Sequence, residues 1–350
     1  MTRLCASISV DLDDLWAYQR TAGEPAWERR GSYLHIAVPR MLEAFDEAGC
    51  TATVFIVGAD AARADAPKLL GPIAARGHEV GNHSFGHACW LHRSEPEVIG
   101  QELSRADAAI RSATGLEPVG FRGPGFVWSA ALLAAVLDRG YRFDASTLPT
   151  FIGPLARGRL LRTAHLTVAE RAMRADLFGS FGDGMLPNRP YQWRLPDGRR
   201  LLEIPVTTMP ATRLPFHQSY VVYLATFSRR LALAYFRTAL AACRADGIHP
   251  SILFHPLDWL GGEEVPALRF FPGMALRASR KVALLRDSLR LVQESFTLES
   301  MGAQALRLSG SGDLPQRVLR VPGAAAAWTG GALSSPVPWN TIYGRTGGST

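Results

Sequence analysis

Cysteine is scarce. There are four in 350 residues (Cys5, Cys50, Cys89 and Cys243), far apart and never as a Cys-x-x-Cys pair. That excludes a disulfide-stapled scaffold and a zinc ribbon. Cys50 and Cys243 sit in apolar surroundings and read as core thiols. No apolar run approaches the roughly 18 residues that a membrane-spanning helix needs. No secretory signal is apparent either, because Met1-Thr2-Arg3-Leu4 runs straight into a short buried strand. The expectation is a cytoplasmic protein that touches, at most, the inner face of the membrane. Charged residues make up 20% and apolar residues 47%, as in ordinary globular proteins. The net charge of +7 is mostly arginine spread along the chain. With no helix-turn-helix or RNA-binding signature, a nucleic-acid partner is set aside.

Apolar runs alternate with amphipathic stretches. Residues 5–10 read as a buried strand ending on Asp11 and Asp13, which share a face because strand side chains alternate. Asp14 falls on the opposite face. Residues 15–32 read as a loop carrying Trp16, Tyr18 and Trp27. Val38-Pro39-Arg40 opens a helix with Met41, Leu42 and Phe45 in its stripe, and Gly49 stops it. Strand 51–57, helix 68–76 and strand 78–82 follow, then helix 96–114, strand 119–122, helix 130–139 and strand 141–144. This rhythm predicts an α/β fold, a distorted (β/α) barrel of seven or eight parallel strands. Chemistry in such a barrel sits at the carboxyl ends of the strands. Residues 150–190 read as irregular, and 191–206 as a small hairpin insertion around Pro196-Asp197-Gly198. Residues 220–244 read as one long helix, strand 251–254 ends on His255, and 275–294 reads as a basic amphipathic helix. A last short strand is expected near Phe296. The barrel domain is placed at 1–307. Residues 308–350, rich in Gly, Ser, Pro and Ala, are read as a flexible tail.

Five polar residues fall at strand ends: Asp11, Asp13, His83, Arg122 and Asp144. His83 and His87, four residues apart, would share one side of a helical turn, where one ion can meet both rings. A third ligand, ordinarily a carboxylate, completes such a site. Asp13 offers it, or Asp14 if a bulge reverses the parity of the strand end. The expected cofactor is a divalent metal, Zn2+ first. His78-Glu79 before His83 is no His-Glu-x-x-His protease helix, since the spacing is one residue too long and Gly81 disfavours a helix.

Asp11-Leu12-Asp13, His83-x-x-x-His87, Phe121-Arg122-Gly123-Pro124-Gly125, Phe143-Asp144-Ala145-Ser146 and Leu253-Phe254-His255 stand in the order of the motifs of the polysaccharide deacetylase family, which the chain resembles over roughly residues 5–300. The resemblance implies a metal-dependent carbohydrate esterase on a distorted β/α barrel. It implies Asp13, His83 and His87 as metal ligands, Asp11 as general base, Arg122 as the residue that orients that base, and His255 as general acid. Asp144 would orient His255, or else cap the turn at Ser146-Thr147. Many members carry two adjacent aspartates where this chain reads Asp-x-Asp-Asp, which keeps Asp14 open as a ligand. The arginine motif ends in Gly-Pro-Gly rather than the aromatic-rich form of chitin-type members, which weakens the case for a long polymer.

The function so implied is removal of an N-acetyl or similar acyl group from an amino sugar. A lipid-linked or glycolipid sugar is preferred, with peripheral membrane contact through the arginine-rich helix. The alternatives are an amidase or imidase acting on a small non-sugar amide, and a barrel that binds glycans without catalysis.

Overall fold

Strand β1 (Cys5–Leu12) shows how residue order becomes architecture. Ala6, Ile8, Val10 and Leu12 point outward into the main apolar core. Ser7, Ser9 and Asp11 alternate with them and are equally buried, but face the interior of the sheet. Strand β2 (Thr53–Ile56) repeats the pattern, with Val54 and Ile56 in the outer core and Phe55 inside with Phe143 and Ile204.

A computed structural model of the chain describes residues 3–164, 166–310 and 314–319. β1 is the hub of a parallel sheet. It pairs with β2 along Ser9–Leu12, with β6 (Ser251–Phe254) along Ser7–Val10 and with β7 (Thr297–Ser300) along Cys5–Ile8. Strand β3 (Glu79–Asn82) extends the sheet beyond β2. From there the ladder thins to isolated parallel bridges, Asn82 to Phe121, Phe121 to Asp144 and Asp144 to Glu203. The Thr207 amide then donates to Ser251 O at 3.0 Å, which brings the circuit back to β6. The expected β/α architecture is therefore present in distorted form. The ladders do not close into a regular barrel, and short irregular segments complete the ring. Residues 119–122 and 141–144, expected as strands, form isolated bridges instead, with three backbone bonds from 119–122 to β3 and three more to residues 142–145. Gly120 marks the constriction, since a Cβ there would lie 2.5 Å from Phe143 Cζ.

Helices cover the outside. Leu34–Glu47 buries Leu34, Val38, Met41, Leu42 and Phe45 against the sheet. Pro96–Thr114 buries Ile99, Leu103, Ala106 and Ile110, at the spacing of one helical stripe. The expected loop at 15–32 instead contains helix Leu15–Ala22, because the Asp14 carboxylate caps it by accepting from the Leu15 amide at 2.8 Å. Residues 150–190 are likewise not irregular. Helices Gly153–Thr163 and Val168–Met173 run through them, the second opened by a Thr167–Glu170 capping box. The single helix expected at 220–244 is two, Gln218–Ala225 and Arg229–Ala245, because the Ser228 side chain accepts from the Leu231 amide and starts a new one.

The hairpin is formed as expected by β4 (Tyr191–Arg194) and β5 (Arg200–Glu203). A short strand β8 (Gln316–Val318) pairs with β4 in parallel. Most of the tail read at 308–350 lies outside the described residues.

Candidate active site

Asp11, Asp13, His83, His87, Arg122 and His255 all gather at the carboxyl ends of the strands. The inward face of β1 continues past its last residue, so Asp13 follows Ser9 and Asp11 into the cleft. Asp13 Oδ1 lies 3.3 Å from His83 Nε2 and 3.0 Å from His87 Nε2. Ligand atoms of the three residues all fall within 4.8 Å of one another, and no other such cluster of three or more His, Cys, Asp or Glu occurs among the described residues. Asp14 is excluded from this cluster by its capping role, since its Oδ1 accepts from the Leu15 and Tyr33 amides.

The two histidines do not sit on a helical turn. They span an irregular loop in which Ser84 (φ 60°) and His87 (φ 49°) take left-handed backbone that non-glycine residues rarely adopt. Side chains within and beside the loop impose it. Asn82 Oδ1 accepts from the Ser84 amide at 2.8 Å, and Ser84 Oγ accepts from the His87 amide at 3.0 Å. One oxygen of Glu102 accepts from the Phe85 and Gly86 amides at 3.1 and 2.9 Å. Arg20 Nη1 donates to Gly86 O at 2.6 Å.

His83 Nδ1 is 2.7 Å from Arg122 O. A carbonyl only accepts, so Nδ1 carries the proton and Nε2 presents its lone pair toward Asp13. Asp13 Oδ1 and both ring nitrogens of His87 are buried without a hydrogen-bond partner. Buried polar atoms that face one another without satisfied hydrogen bonds are costly, and a divalent cation is the group that satisfies them together. The donor set of two imidazoles and one carboxylate suits such an ion. Burial by itself raises the Asp13 carboxyl, but the adjacent His87 and His83 outweigh it and hold the group below the ordinary carboxylate range. Burial lowers His83, and the charges of Asp11 and Asp13 raise it on balance.

Arg122 is fully buried. Its Nη1 donates to Asp11 Oδ1 at 2.6 Å and Ser9 Oγ at 3.1 Å, and its Nε donates to Ala145 O at 3.0 Å. The guanidinium lies 4.3 Å over the Phe55 ring. Asp11 Oδ2 is 3.9 Å from His255 Nε2. Asp11 is thus fixed by arginine on one oxygen and faces imidazole with the other.

The expected pairing of Asp144 with His255 is not formed. Asp144 accepts from the Ser146 amide and hydroxyl at 3.1 and 2.8 Å. It therefore caps the turn, the second role considered for it. It also abuts Glu203, and burial raises both carboxyls, that of Glu203 well above its ordinary value. His255 takes other partners: Ser219 Oγ lies 3.0 Å from its Nδ1, and its amide donates to Asp258 Oδ2 at 2.9 Å. His217 packs 6.3 Å away, ring to ring. Burial and the neighbouring His255 push it down to about 3, so it stays neutral. Trp259 is packed against Phe45 and Phe254 in the core rather than lining the cleft. Tyr18, placed by helix Leu15–Ala22, faces Asp13, Asp258 and Asp11, and burial with those charges raises its phenol.

Three residues that shape this site escaped the sequence reading. Glu102 left a trace, a charged residue inside the apolar stripe of Pro96–Thr114. Asp258 lies only three positions after His255. Ser219 left none.

Residues 31–143 match the sequence profile described as polysaccharide deacetylase. That window holds His83, His87 and Arg122, with Asp11 and Asp13 before it and His255 after it. The chain is 34% identical over 103 residues to a chitooligosaccharide deacetylase of Bradyrhizobium sp. (strain ANU 289), covering 29% of this chain and 46% of that protein. It is 33% identical over 110 residues to a chitooligosaccharide deacetylase of Sinorhizobium fredii (strain NBRC 101917 / NGR234), covering 30% and 48%. It thus spans about half the length of the curated relatives it matches. In overall fold it resembles the crystal structure of a proposed polysaccharide deacetylase from Mycobacterium smegmatis, with a TM-score of 0.57 and 20% identity over 90% of this chain and 95% of that one. The profile thus falls on the part of the sheet that carries the paired histidines and the buried arginine, and over those residues the chain is similar to the polysaccharide deacetylase family.

Proposed function

We propose that the chain hydrolyses an N-acyl group, acetyl first, from an amino sugar of chitooligosaccharide type, using a divalent metal for which Zn2+ is the expected ion. The observation that carries this reading is the convergence of Asp13, His83 and His87 beside an Asp11 held by Arg122.

Asp13, His83 and His87 would hold the metal, which when bound polarises the amide carbonyl and acidifies water. Asp11 is the general base. Its Oδ2 accepts the proton of the attacking water while Arg122 holds Oδ1 and keeps the carboxylate oriented. As the water oxygen bonds to the carbonyl carbon, the carbon–nitrogen bond breaks. His255 Nε2 gives its proton to the departing nitrogen, leaving acetate and a free amine.

The preference for a lipid-linked sugar gains no support from the arginine-rich helix Ala278–Ser295. Leu284, Leu285, Leu289 and Val292 on its apolar face are buried in the core, and Arg286 pairs with Glu47. No helix among the described residues is long and apolar enough to cross a membrane.

The test is acetate release by the Zn2+-loaded chain from N-acetylglucosamine oligomers, beside ring opening of simple cyclic imides. Oligomer turnover that a chelator abolishes is expected. Turnover of the imides alone would transfer the site to the amidase reading. Oligomer binding without turnover would leave a glycan-binding barrel.

A further inference from the structure

His255 reaches the cleft from the end of β6, and its ring has a second nitrogen to satisfy. Ser219 Oγ is 3.0 Å from that Nδ1. Ser219 sits in the first turn of helix Gln218–Ala225. The Asp258 carboxylate also faces this hydroxyl. Asp258 is 1% exposed, and its Oδ2 also takes the His255 amide. Behind it, Lys281 is buried at 1% exposure, with Nζ donating to Leu257 O at 2.8 Å.

The direction of the chain of hydrogen bonds follows from chemistry. An ionised carboxylate only accepts, so Asp258 draws the proton of the hydroxyl that faces it toward itself. The Ser219 oxygen then accepts from His255, which places a proton on Nδ1. Nε2 is left toward Asp11 and the cleft.

Resting on the proposed deacetylase reading, we propose that Ser219 and Asp258 are positioning residues that act through hydrogen bonds on His255: together they fix its Nδ1–H tautomer and hold its protonated form, one of the two roles that the family resemblance left open for Asp144. Burial raises Asp258 above its ordinary range, while His255, Ser219 and Lys281 pull it back toward the ionised form. Lys281, lowered by burial to about 8, still carries charge at neutral pH. The remaining charged or titratable groups facing His255 are Asp11 at 3.9 Å, on the opposite side of the ring, and the neutral His217.

Ser219→Ala, Asp258→Asn and Ser219→Thr, each in the full Zn2+-loaded chain, test the relay. Removing the hydroxyl or the charge should lower kcat about tenfold with little change in KM, and move the basic limb of the kcat profile down by about one pH unit, because the imidazolium is less well held. Thr keeps the hydroxyl and should restore both. Imidazole 15N spectra supply a readout independent of turnover. His255 should be protonated at Nδ1 in the parent when neutral and lose that preference in Ser219→Ala. An unchanged tautomer with an unchanged basic limb in Ser219→Ala overturns the relay. Should the parent release no acetate, the deacetylase reading fails while the tautomer measurement still decides the relay. Ser219→Ala leaves every backbone bond of its helix in place, so the test does not depend on Asp258→Asn folding.

Discussion

Arg122 Nη1 lies 2.6 Å from Asp11 Oδ1, and both side chains are buried inside the sheet. An ion pair there is costly to assemble, and breaking it is worse, because the survivor is a charge with no counter-charge. Arg122→Ala should therefore destabilise the fold by about 3–5 kcal/mol and abolish turnover. The double variant Arg122→Met, Asp11→Asn removes both charges and should recover much of the stability but none of the activity. Urea unfolding of the three proteins checks it. A double variant no more stable than Arg122→Ala would show that the arginine acts through packing on Phe55 instead.

The loop from Ser84 to His87 is held mainly by one carboxylate. Glu102→Ala leaves the Phe85 and Gly86 amides without their acceptor, at about 1–3 kcal/mol per group. It should also loosen His87, lowering Zn2+ affinity by about 10–100-fold, as loss of a supporting contact around a metal ligand typically does. Glu102→Gln retains an acceptor oxygen and should stay close to the parent. Competition with a chelator of known affinity measures both. Equal affinity in Glu102→Ala would place the control of the loop in Asn82 and Ser84 alone.

The parity of β1 was legible in the residue order because strand side chains alternate wherever no bulge intervenes, and so Asp11 and Asp13 could be placed on one face from the sequence. The same holds for the hairpin at Asp197-Gly198. His83 and His87 lie close together, but not through the helical turn that a spacing of four suggests: the two rings meet because Asn82, Ser84 and Glu102 bend a loop. Such side-chain to backbone bonds have no period and leave no pattern. The partner of His255 was illegible for a related reason. Asp144 stands in the expected order, but Ser146 and Glu203 claim its carboxylate, and Ser219 arrives from a helix that a helical reading could only bury as one more residue. Arginine-rich stretches at 153–173 hid their helices because the apolar stripe there is weak. The Thr167–Glu170 box was the available signal.

Glu203 offers a prediction in pH. Burial, then the adjacent Asp144, hold its carboxyl well above the ordinary value. A carboxyl raised in the folded state keeps its proton when the unfolded chain has lost it. Its contribution to stability is therefore complete below the unfolded value of about 4.3 and is lost as pH rises from there toward the folded value. In Glu203→Gln that decline is absent. Its absolute stability drops because Trp193 Nε1, 3.0 Å from Glu203 Oε2, loses an acceptor. The readout is thus the slope of unfolding free energy between about pH 5 and 7, which should be less negative in the variant. Parallel slopes would mean that Asp144 and Glu203 ionise as exposed carboxyls do.

Four aspartate and histidine variants separate ligand, base and cap at the head of β1. His83→Ala and Asp13→Asn each remove a group that meets the others within 4.8 Å, so both should lose the metal and the activity together. Asp11→Asn leaves that cluster untouched and should keep the metal while losing turnover by about 10²–10⁴-fold, the usual contribution of a general base. Asp14→Asn should keep both, because its Oδ1 can still accept from Leu15 and Tyr33. Stability should even rise slightly in that variant: burial raises Asp14, and the nearby carboxyl of Asp60 is raised by burial and by Asp14 itself, so neutralising one relieves the other. Metal content by elemental analysis, set beside acetate release, distinguishes the three roles. Metal loss in Asp14→Asn with retention in Asp13→Asn would reverse the ligand assignment. Equal loss in Asp11→Asn and His83→Ala would remove Asp11 from the role of base, since a residue that carries the proton has no reason to carry the ion.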